Sequence, residues 1–289
     1  MDLIHALVQT QALQIAPPGD IFWYTSGTVG PYYINTHYLF GGRERAEELL
    51  AFIDADKDQF AAFPARLLER TRSRYEEDAV YRGVIDALVG YIRTQGLDQC
   101  ELVSGGERRD WFFSPIVAQQ LGRDHLLLYK DQAPWLWSGG QARAAGDELN
   151  GKKAVHIADL ITEASSYIRS WIPGLEALQV EMACGLNVID RAQGGMDALK
   201  EAGVLGAALL RVDEGLFADL AQMGAIDRDQ EEVLIAFYRD PHQSMRQFLA
   251  QNPHCLRHAL ASEDQRTVAR ARDLVQSNPY ELDVDRLLG

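Results

Sequence analysis

Between about residue 100 and residue 212 the chain alternates apolar runs of strand length with helical patterns, and few folds accept that order. The runs are ELVSGG, HLLLYK, KAVHIADL, VEMACGLNVID and GAALLRV, with WFFSPIVAQQLG, ASSYIRSWI and MDALKEAG between them. Strands separated by helices imply a parallel sheet covered on both faces, because parallel neighbours need crossover connections and continuous apolar runs have no wet side. An α/β fold is expected. Ligands of such sheets sit beyond the carboxyl ends of the strands, so the turns after Val103, Ile157 and Ile189 are where a site is sought.

The flanks read differently. Residues 19–42, GDIFWYTSGTVGPYYINTHYLFGG, are dense in glycine and aromatic residues and read as a β-rich hood. Residues 43–95 read as helical, and from Asp54 to Arg82 both charge signs mix as on a solvated face. After about Asp213 the pattern is helical to the end, punctuated by Pro241, Pro253 and Pro279. The expected organisation is a domain over 1–225, containing the hood and the helical insertion, with a helical extension over 226–289. At the N-terminus Leu3, Ile4, Leu7 and Val8 fit a short amphipathic helix rather than a signal peptide, since no basic segment precedes an apolar core.

Charge narrows the partners. Twenty-eight Lys and Arg against 42 Asp and Glu leave a net charge of -14, which repels a nucleic-acid backbone. No nucleic acid is expected. No run approaches the roughly 18 apolar residues of a membrane span, so no membrane is expected either. Cys100, Cys184 and Cys255 lie far apart without CxxC spacing, which suggests reduced thiols and a cytoplasmic location.

The most informative stretch is GKKAVHIADLITEASSYIRS, from Gly151 to Ser170. A buried strand runs into Asp159, then a polar turn, then a helix start. Thr162, Ser165 and Ser166 there offer hydroxyls and backbone N–H groups to a phosphate, and Asp159 offers a carboxylate to a ribose hydroxyl. A plain N-cap role for Thr162 or Ser165 accounts for the spacing equally well.

This segment resembles the phosphoribosyl-pyrophosphate motif of type I phosphoribosyltransferases, and three further stretches in the same order are similar to orotate phosphoribosyltransferases. FWYTSGTVGPYYIN, from Phe22, resembles the N-terminal pattern of that family, with Gly30 in place of a serine; VSGGERRDWFFSPIVAQQLG, from Val103, resembles its pyrophosphate loop and following helix. NVIDRAQGGMDALKEAG, from Asn187, resembles the strand and glycine-rich turn near its base pocket. The resemblance covers roughly residues 1–215 and implies a parallel sheet with flanking helices, an N-terminal hood and a C-terminal helical extension.

It also implies roles. Asp159 would bind the ribose hydroxyls while Thr162, Ser165 and Ser166 cradle the 5-phosphate; Arg191 would meet an acidic pyrimidine, and Tyr32 and Tyr33 would wall the base. Pairing of Arg191 with Asp190 or Glu181, and ordinary hood packing of the two tyrosines, are the plainer readings. Gly105 and Gly106 would let the backbone approach pyrophosphate, with Arg108, Arg109 and Lys130 as catalytic cations. A magnesium ion held mainly by pyrophosphate oxygens is the implied cofactor, and a homodimer the implied assembly.

The departures are specific. Ala158 stands where the family has the first of two adjacent acids, and Thr162-Glu163-Ala164-Ser165 replaces Thr-Thr-Gly-Gly, which disfavours positive φ in the turn. In the catalytic loop, YKDQAPWLWSGGQARAAGDELNG, Pro134, Trp135, Leu136 and Trp137 replace Lys-x-His-Gly. The Trp pair is expected to cover an apolar ligand or dock a second subunit. His156 reads as a packed core histidine and His37 as a weak site candidate; no metal-ligand set is read from the remaining histidines, and no protein-ligated metal is expected. The expected function is transfer of a phosphoribosyl group from phosphoribosyl pyrophosphate to orotate or a related pyrimidine. The alternatives are a base- or nucleotide-binding regulatory protein of the same fold, and an enzyme with another ribosyl or phosphate substrate.

Overall fold

The computed structural model describes residues 2–131 and 133–288, so Gln132 of the expected catalytic loop lies outside the described residues. Helix α1 (Leu3–Gln9) is followed by the short strands β1 (Leu13–Ile15), β2 (Phe22–Trp23), β3 (Val29–Gly30) and β4 (Tyr32–Ile34). Helices α2 (Arg43–Asp56), α3 (Phe63–Glu77) and α4 (Ala79–Thr94) precede β5 (Leu102–Gly106), α5 (Ser114–Leu121) and β6 (Asp124–Leu128). Then come β7 (Trp135–Ser138), β8 (Gln141–Ala144), β9 (Lys153–Ile161), α6 (Ile172–Glu176), β10 (Glu181–Asp190), α7 (Gly195–Glu201) and β11 (Leu205–Arg211). Helices α8 (Glu214–Gln222), α9 (Arg228–Arg239), α10 (Pro241–Gln251), α11 (Pro253–Leu260), α12 (Gln265–Ser277) and α13 (Val284–Leu288) complete the chain.

These elements form two compact units. The first, up to Ala12 and from Asn35 to Val212, holds a seven-stranded sheet in the order β11-β10-β9-β5-β6-β7-β8. The five strands from β11 to β6 are parallel, as the alternation of runs predicts, because each is buried on both faces or fed by a crossover helix. Along β9, Ala154 and Ala158 point into the cluster of Tyr167, Trp171 and Leu175, and the ring of His156 stacks 6.1 Å from that of Trp171. Beside them in the unit lies a second buried layer that includes Trp111, Phe112, Phe113, Ile85 and Leu88.

Strands β7 and β8 were not expected as strands. The segment matched to a catalytic loop instead makes an antiparallel hairpin on the edge of the sheet, with Trp135 opposite Leu127 and Trp137 opposite His125. Its turn is Gly139-Gly140, both at positive φ, which only glycine adopts without strain in a two-residue connection. Trp135 stacks on Phe60 of the same chain, with centroids 5.2 Å apart and planes 11° from parallel, so it already has intrachain cover.

The second unit comprises Leu13–Ile34 and the chain from Asp213 onward. This partition differs from the expected 1–225 and 226–289: the aromatic segment groups with the C-terminal helices. The reason is a set of backbone satisfactions that no local pattern reveals. Gln230 donates to the Ala16 carbonyl at 2.8 Å, Arg270 to the Trp23 carbonyl at 2.7 Å, and Val29 N–H to the Tyr280 hydroxyl at 3.0 Å. Aspartates 213, 227, 240 and 264 cap α8, α9, α10 and α12, while Pro241 and Pro253 open α10 and α11, where a missing N–H costs nothing.

Two glycines read as backbone approaches to pyrophosphate have a packing reason of their own. A Cβ on Gly105 would lie 2.1 Å from Ser114 Oγ and 2.5 Å from Ser114 Cβ; one on Gly106 would lie 2.2 Å from Trp171. Neither has a positive φ. Gly105→Ala is therefore expected to destabilise the chain by about 1–3 kcal/mol through overpacking, and Ser114→Gly in the same chain to recover part of that loss in denaturant titration. An unchanged midpoint for Gly105→Ala alone would show that the strand and α5 separate freely.

Candidate active site

The carboxyl ends of β5, β6 and β9 stand side by side, and the loops that leave them enclose a cleft of about 470 Å³. Its lining includes Glu107 to Asp110 after β5, Lys130 after β6, and the run from Ala158 to Ser166 at the end of β9. A cleft at this end is where three adjacent parallel strands open their loops to solvent together.

Asp110 organises it. Its buried carboxylate accepts from Gly106 N–H at 3.1 Å and from Asp159 N–H at 3.0 Å, and so ties the β5 loop to β9. The Asp110 and Asp159 carboxyls also hydrogen-bond one another. Burial pushes both above the ordinary carboxylate range; for Asp159 the Asp110 charge adds to the rise, while Arg109 opposes it. The pair holds a proton between two cleft-facing acids. His156, beneath them, has Nε2 3.6 Å from Asp110 Oδ2 and Nδ1 3.0 Å from Ser104 Oγ, and burial pushes its ring down to about 3. It is a neutral core histidine, as its place on a buried strand predicts.

The cations divide into committed and uncommitted. Arg108 forms a fork-to-fork pair with Asp54 at the end of α2, with both side chains more than two-fifths exposed (42% and 44%). Glu107 is held by Lys57 and accepts from the Lys130 backbone N–H at 3.2 Å. Arg109 and Lys130 are exposed, and neither makes an ion pair among the described residues. Lys130 lies close enough to lower the affinity of Asp110 for its proton.

The turn after β9 carries Ala164 at φ 58°, the left-handed region the sequence disfavours there, and its methyl is buried in the core. The chain is helical from Ser165 through Glu176, with π-type bonding over Tyr167–Trp171. Ser165 and Ser166 are exposed at this helix start, where the first N–H groups have no intrahelical acceptor.

No protein-family model matches the chain, and no curated protein matches its sequence. Solved structures do. The chain is similar to the UMP synthase of Leishmania donovani, with 16% identity over 82% of this chain and 41% of that one, at a TM-score of 0.56. It is similar to the orotate phosphoribosyltransferase of Aeropyrum pernix, with 18% identity over 78% of this chain and 99% of that one, at 0.52. The orotate phosphoribosyltransferase of Francisella tularensis matches at 14% identity, 84% and 98% coverage, and 0.51. The fold is that of the type I phosphoribosyltransferases.

Within that phosphoribosyltransferase fold the cleft gathers Arg108, Arg109, Lys130, Asp159, Thr162, Ser165 and Ser166 from the residues selected in the sequence. It also contains Asp110, which the sequence reading passed over for the arginines beside it. Arg191 follows β10 and is outside the cleft lining; its N–H donates to the Ile161 carbonyl at 2.9 Å, while Asp190 faces Arg211 at 3.8 Å and Glu181 takes Lys153 at 3.0 Å. Tyr32 is buried in the second unit, its ring 5.6 Å from that of Phe237, and half-buried Tyr33 packs at 5.9 Å against both Phe22 and Tyr24. His37, in the first unit, is buried against Phe112 and pushed down to about 3 by burial and by Arg109 and Arg108. One metal-like spacing was overlooked: His254 and His258 stand four apart on α11 with ring centroids at 5.8 Å. No group of three His, Cys, Asp or Glu gathers around a common point among the described residues, and no described helix is long and apolar enough to cross a membrane.

The acid pair fixes a pH dependence. Between the ordinary aspartate value near 3.8 and its raised folded value, Asp159 keeps a proton that the unfolded chain releases, so its contribution to stability falls as pH rises through that window. Asp159→Asn removes this loss. Its unfolding free energy relative to the unsubstituted chain is expected to gain on the order of 1–3 kcal/mol between pH 4 and pH 8. A pH-independent difference in urea midpoints would show that Asp159 is ionised in the fold.

Proposed function

We propose that the cleft transfers a phosphoribosyl group from phosphoribosyl pyrophosphate to orotate or a related pyrimidine, releasing pyrophosphate. The observation that carries this reading is the convergence, at three adjacent strand ends, of Asp159, the helix start at Ser165 and the cations Arg109 and Lys130, which make no ion pair among the described residues. The 5-phosphate would lie on the N–H groups and hydroxyls of Thr162, Ser165 and Ser166. Asp159, with Asp110 behind it, would hold the ribose hydroxyls. The pyrimidine nitrogen gives up its proton to solvent and bonds to the anomeric carbon as the bond to pyrophosphate breaks, and Arg109 and Lys130 stabilise the charge that develops on the departing oxygens.

The site's donor set fits a magnesium ion carried by the substrate's pyrophosphate oxygens rather than caged by protein, since of the four cleft carboxylates Asp110 is engaged by two backbone N–H groups and Glu107 by Lys57, and no three gather around a common point among the described residues. Such an ion would supply further charge neutralisation to the leaving group. Arg191, from the loop after β10, would serve the base. A homodimer completes the proposal, and light scattering at micromolar concentration tests it.

A second reading has its own support. Arg108 is engaged by Asp54, and the β7–β8 hairpin stands where the family resemblance implies a cationic loop. A chain that binds phosphoribosyl pyrophosphate without transferring it would have this geometry. A coupled assay of pyrophosphate release across several bases separates the two. Transfer predicts release with orotate or a related base, at least tenfold slower in Arg109→Ala; binding alone predicts calorimetric affinity with no release. In either case Asp159→Asn is expected to weaken phosphoribosyl pyrophosphate by about 1 kcal/mol, the net worth of a neutral hydrogen bond, since the amide replaces one carboxyl oxygen with a donor. Unchanged affinity in a folded variant would move the ligand out of this cleft.

A further inference from the structure

A second cavity, of about 440 Å³, lies in the sheet-bearing unit between α2 and α3, lined by residues that the reading of the cleft does not use. Arg66, Arg70 and Arg74 recur every fourth residue and so share one face of α3, and Arg45 reaches the same cavity from α2. Like charges one turn apart repel, and the chain as a whole carries 14 more acids than bases. Three glutamates, Glu48, Glu69 and Glu77, line the cavity with these four arginines, so what matters is which arginines they leave without an ion pair.

These carboxylates do not pair with all four arginines, and Glu69 makes no ion pair among the described residues. Glu48 takes Arg45 at 3.1 Å, Asp56 takes Arg66 at 2.8 Å, and Glu77 accepts from Ser73 at 2.8 Å. Arg70 and Arg74 make no ion pair among the described residues. They are held instead by aromatic faces: the Arg70 guanidinium lies 4.2 Å from the Phe52 ring centroid and that of Arg74 5.6 Å from Phe40. A ring fixes the plane of a guanidinium and leaves its edge donors available. Two pre-oriented forks, one helical turn apart at the edge of a cavity, suit an anion with several oxygens spread over more than one centre.

We propose that this cavity is a second anion site, built for a small molecule that carries more than one phosphate charge. Phe40 is buried, so it offers no stacking platform for a base, and the recognised chemistry is the polyphosphate or phosphate-ester group itself. The site does not depend on the reading of the cleft.

Calorimetric titration of inorganic tripolyphosphate into the full chain tests it, with the cleft silenced by Arg109→Gln and Lys130→Gln. A remaining binding event is expected, weakened tenfold or more by adding Arg70→Gln and Arg74→Gln. Equal binding after that addition, or no binding at millimolar tripolyphosphate in the cleft-silenced chain, overturns the proposal. Failure of the cleft reading would show separately, as titrations that do not change when Arg109 and Lys130 are replaced. Should the fourfold variant lose its cooperative melt, phenylglyoxal labelling of the unsubstituted chain decides. Tripolyphosphate is expected to slow modification of Arg70 and Arg74 at least tenfold, and unprotected labelling of both overturns the site.

Discussion

The Asp110 carboxylate is the joint on which the cleft depends. It takes two backbone N–H groups, from Gly106 and Asp159, that belong to the carboxyl ends of two neighbouring strands, β5 and β9. A buried donor left without an acceptor costs about 1–3 kcal/mol, so this side chain fixes the loop after β5 against β9 in addition to the pairing of the two strands. The same carboxylate faces Asp159, and a shared proton relieves what would otherwise be two buried like charges. Position and protonation are therefore set together. A ligand that brings positive charge to the cleft would release that proton, and one that brings hydroxyls can use it.

From the other side the loop is held by α2. Asp54 pairs with Arg108, and Lys57, just past the helix end, pairs with Glu107. The exposed Asp54–Arg108 pair contributes little stability; the effect of the two pairs is to decide which cations are available. Arg108 is directed away to α2, and Arg109 and Lys130 remain at the cleft. Asp56, between those two residues, takes Arg66 of the second cavity. One short stretch at the end of α2 thus touches both groups of arginines in this unit.

Much of this was legible in the sequence, and the misses have physical causes. Parallel strands leave continuous apolar runs, buried in β5, β6, β9 and β10 and half-buried in the edge strand β11, so these five stand out without any alignment. The β7–β8 hairpin was also marked, by Ser138-Gly139-Gly140-Gln141 between short alternating stretches, but the family resemblance drew that segment toward a loop. Asp110 was hidden because ERRD reads as a cationic cluster, and only the backbone path shows that its arginines face outward while its aspartate turns in. The arginine face of α3 was equally visible as a four-residue spacing and was absorbed into a mixed-charge surface. What no spacing could show is the grouping of Leu13–Ile34 with helices some two hundred residues later, since it rests on single side chains such as Gln230 and Arg270 reaching backbone carbonyls.

The glycines show why motif departures must be weighed by geometry. Gly105 and Gly106 agree with the family pattern, yet the space they leave is filled by Ser114 and Trp171, so packing alone would retain them. Ala164 departs from the pattern, yet its backbone takes the left-handed conformation that glycine would have taken. The cost, roughly 1 kcal/mol, is offset in part by burying its methyl group beside Tyr167 and Trp171. The turn after β9 therefore keeps its path without glycine, and what the substitutions change is the chemistry lining it: an exposed carboxylate at Glu163, hydroxyls at Ser165 and Ser166, and a single acid from β9 whose partner comes from the neighbouring loop.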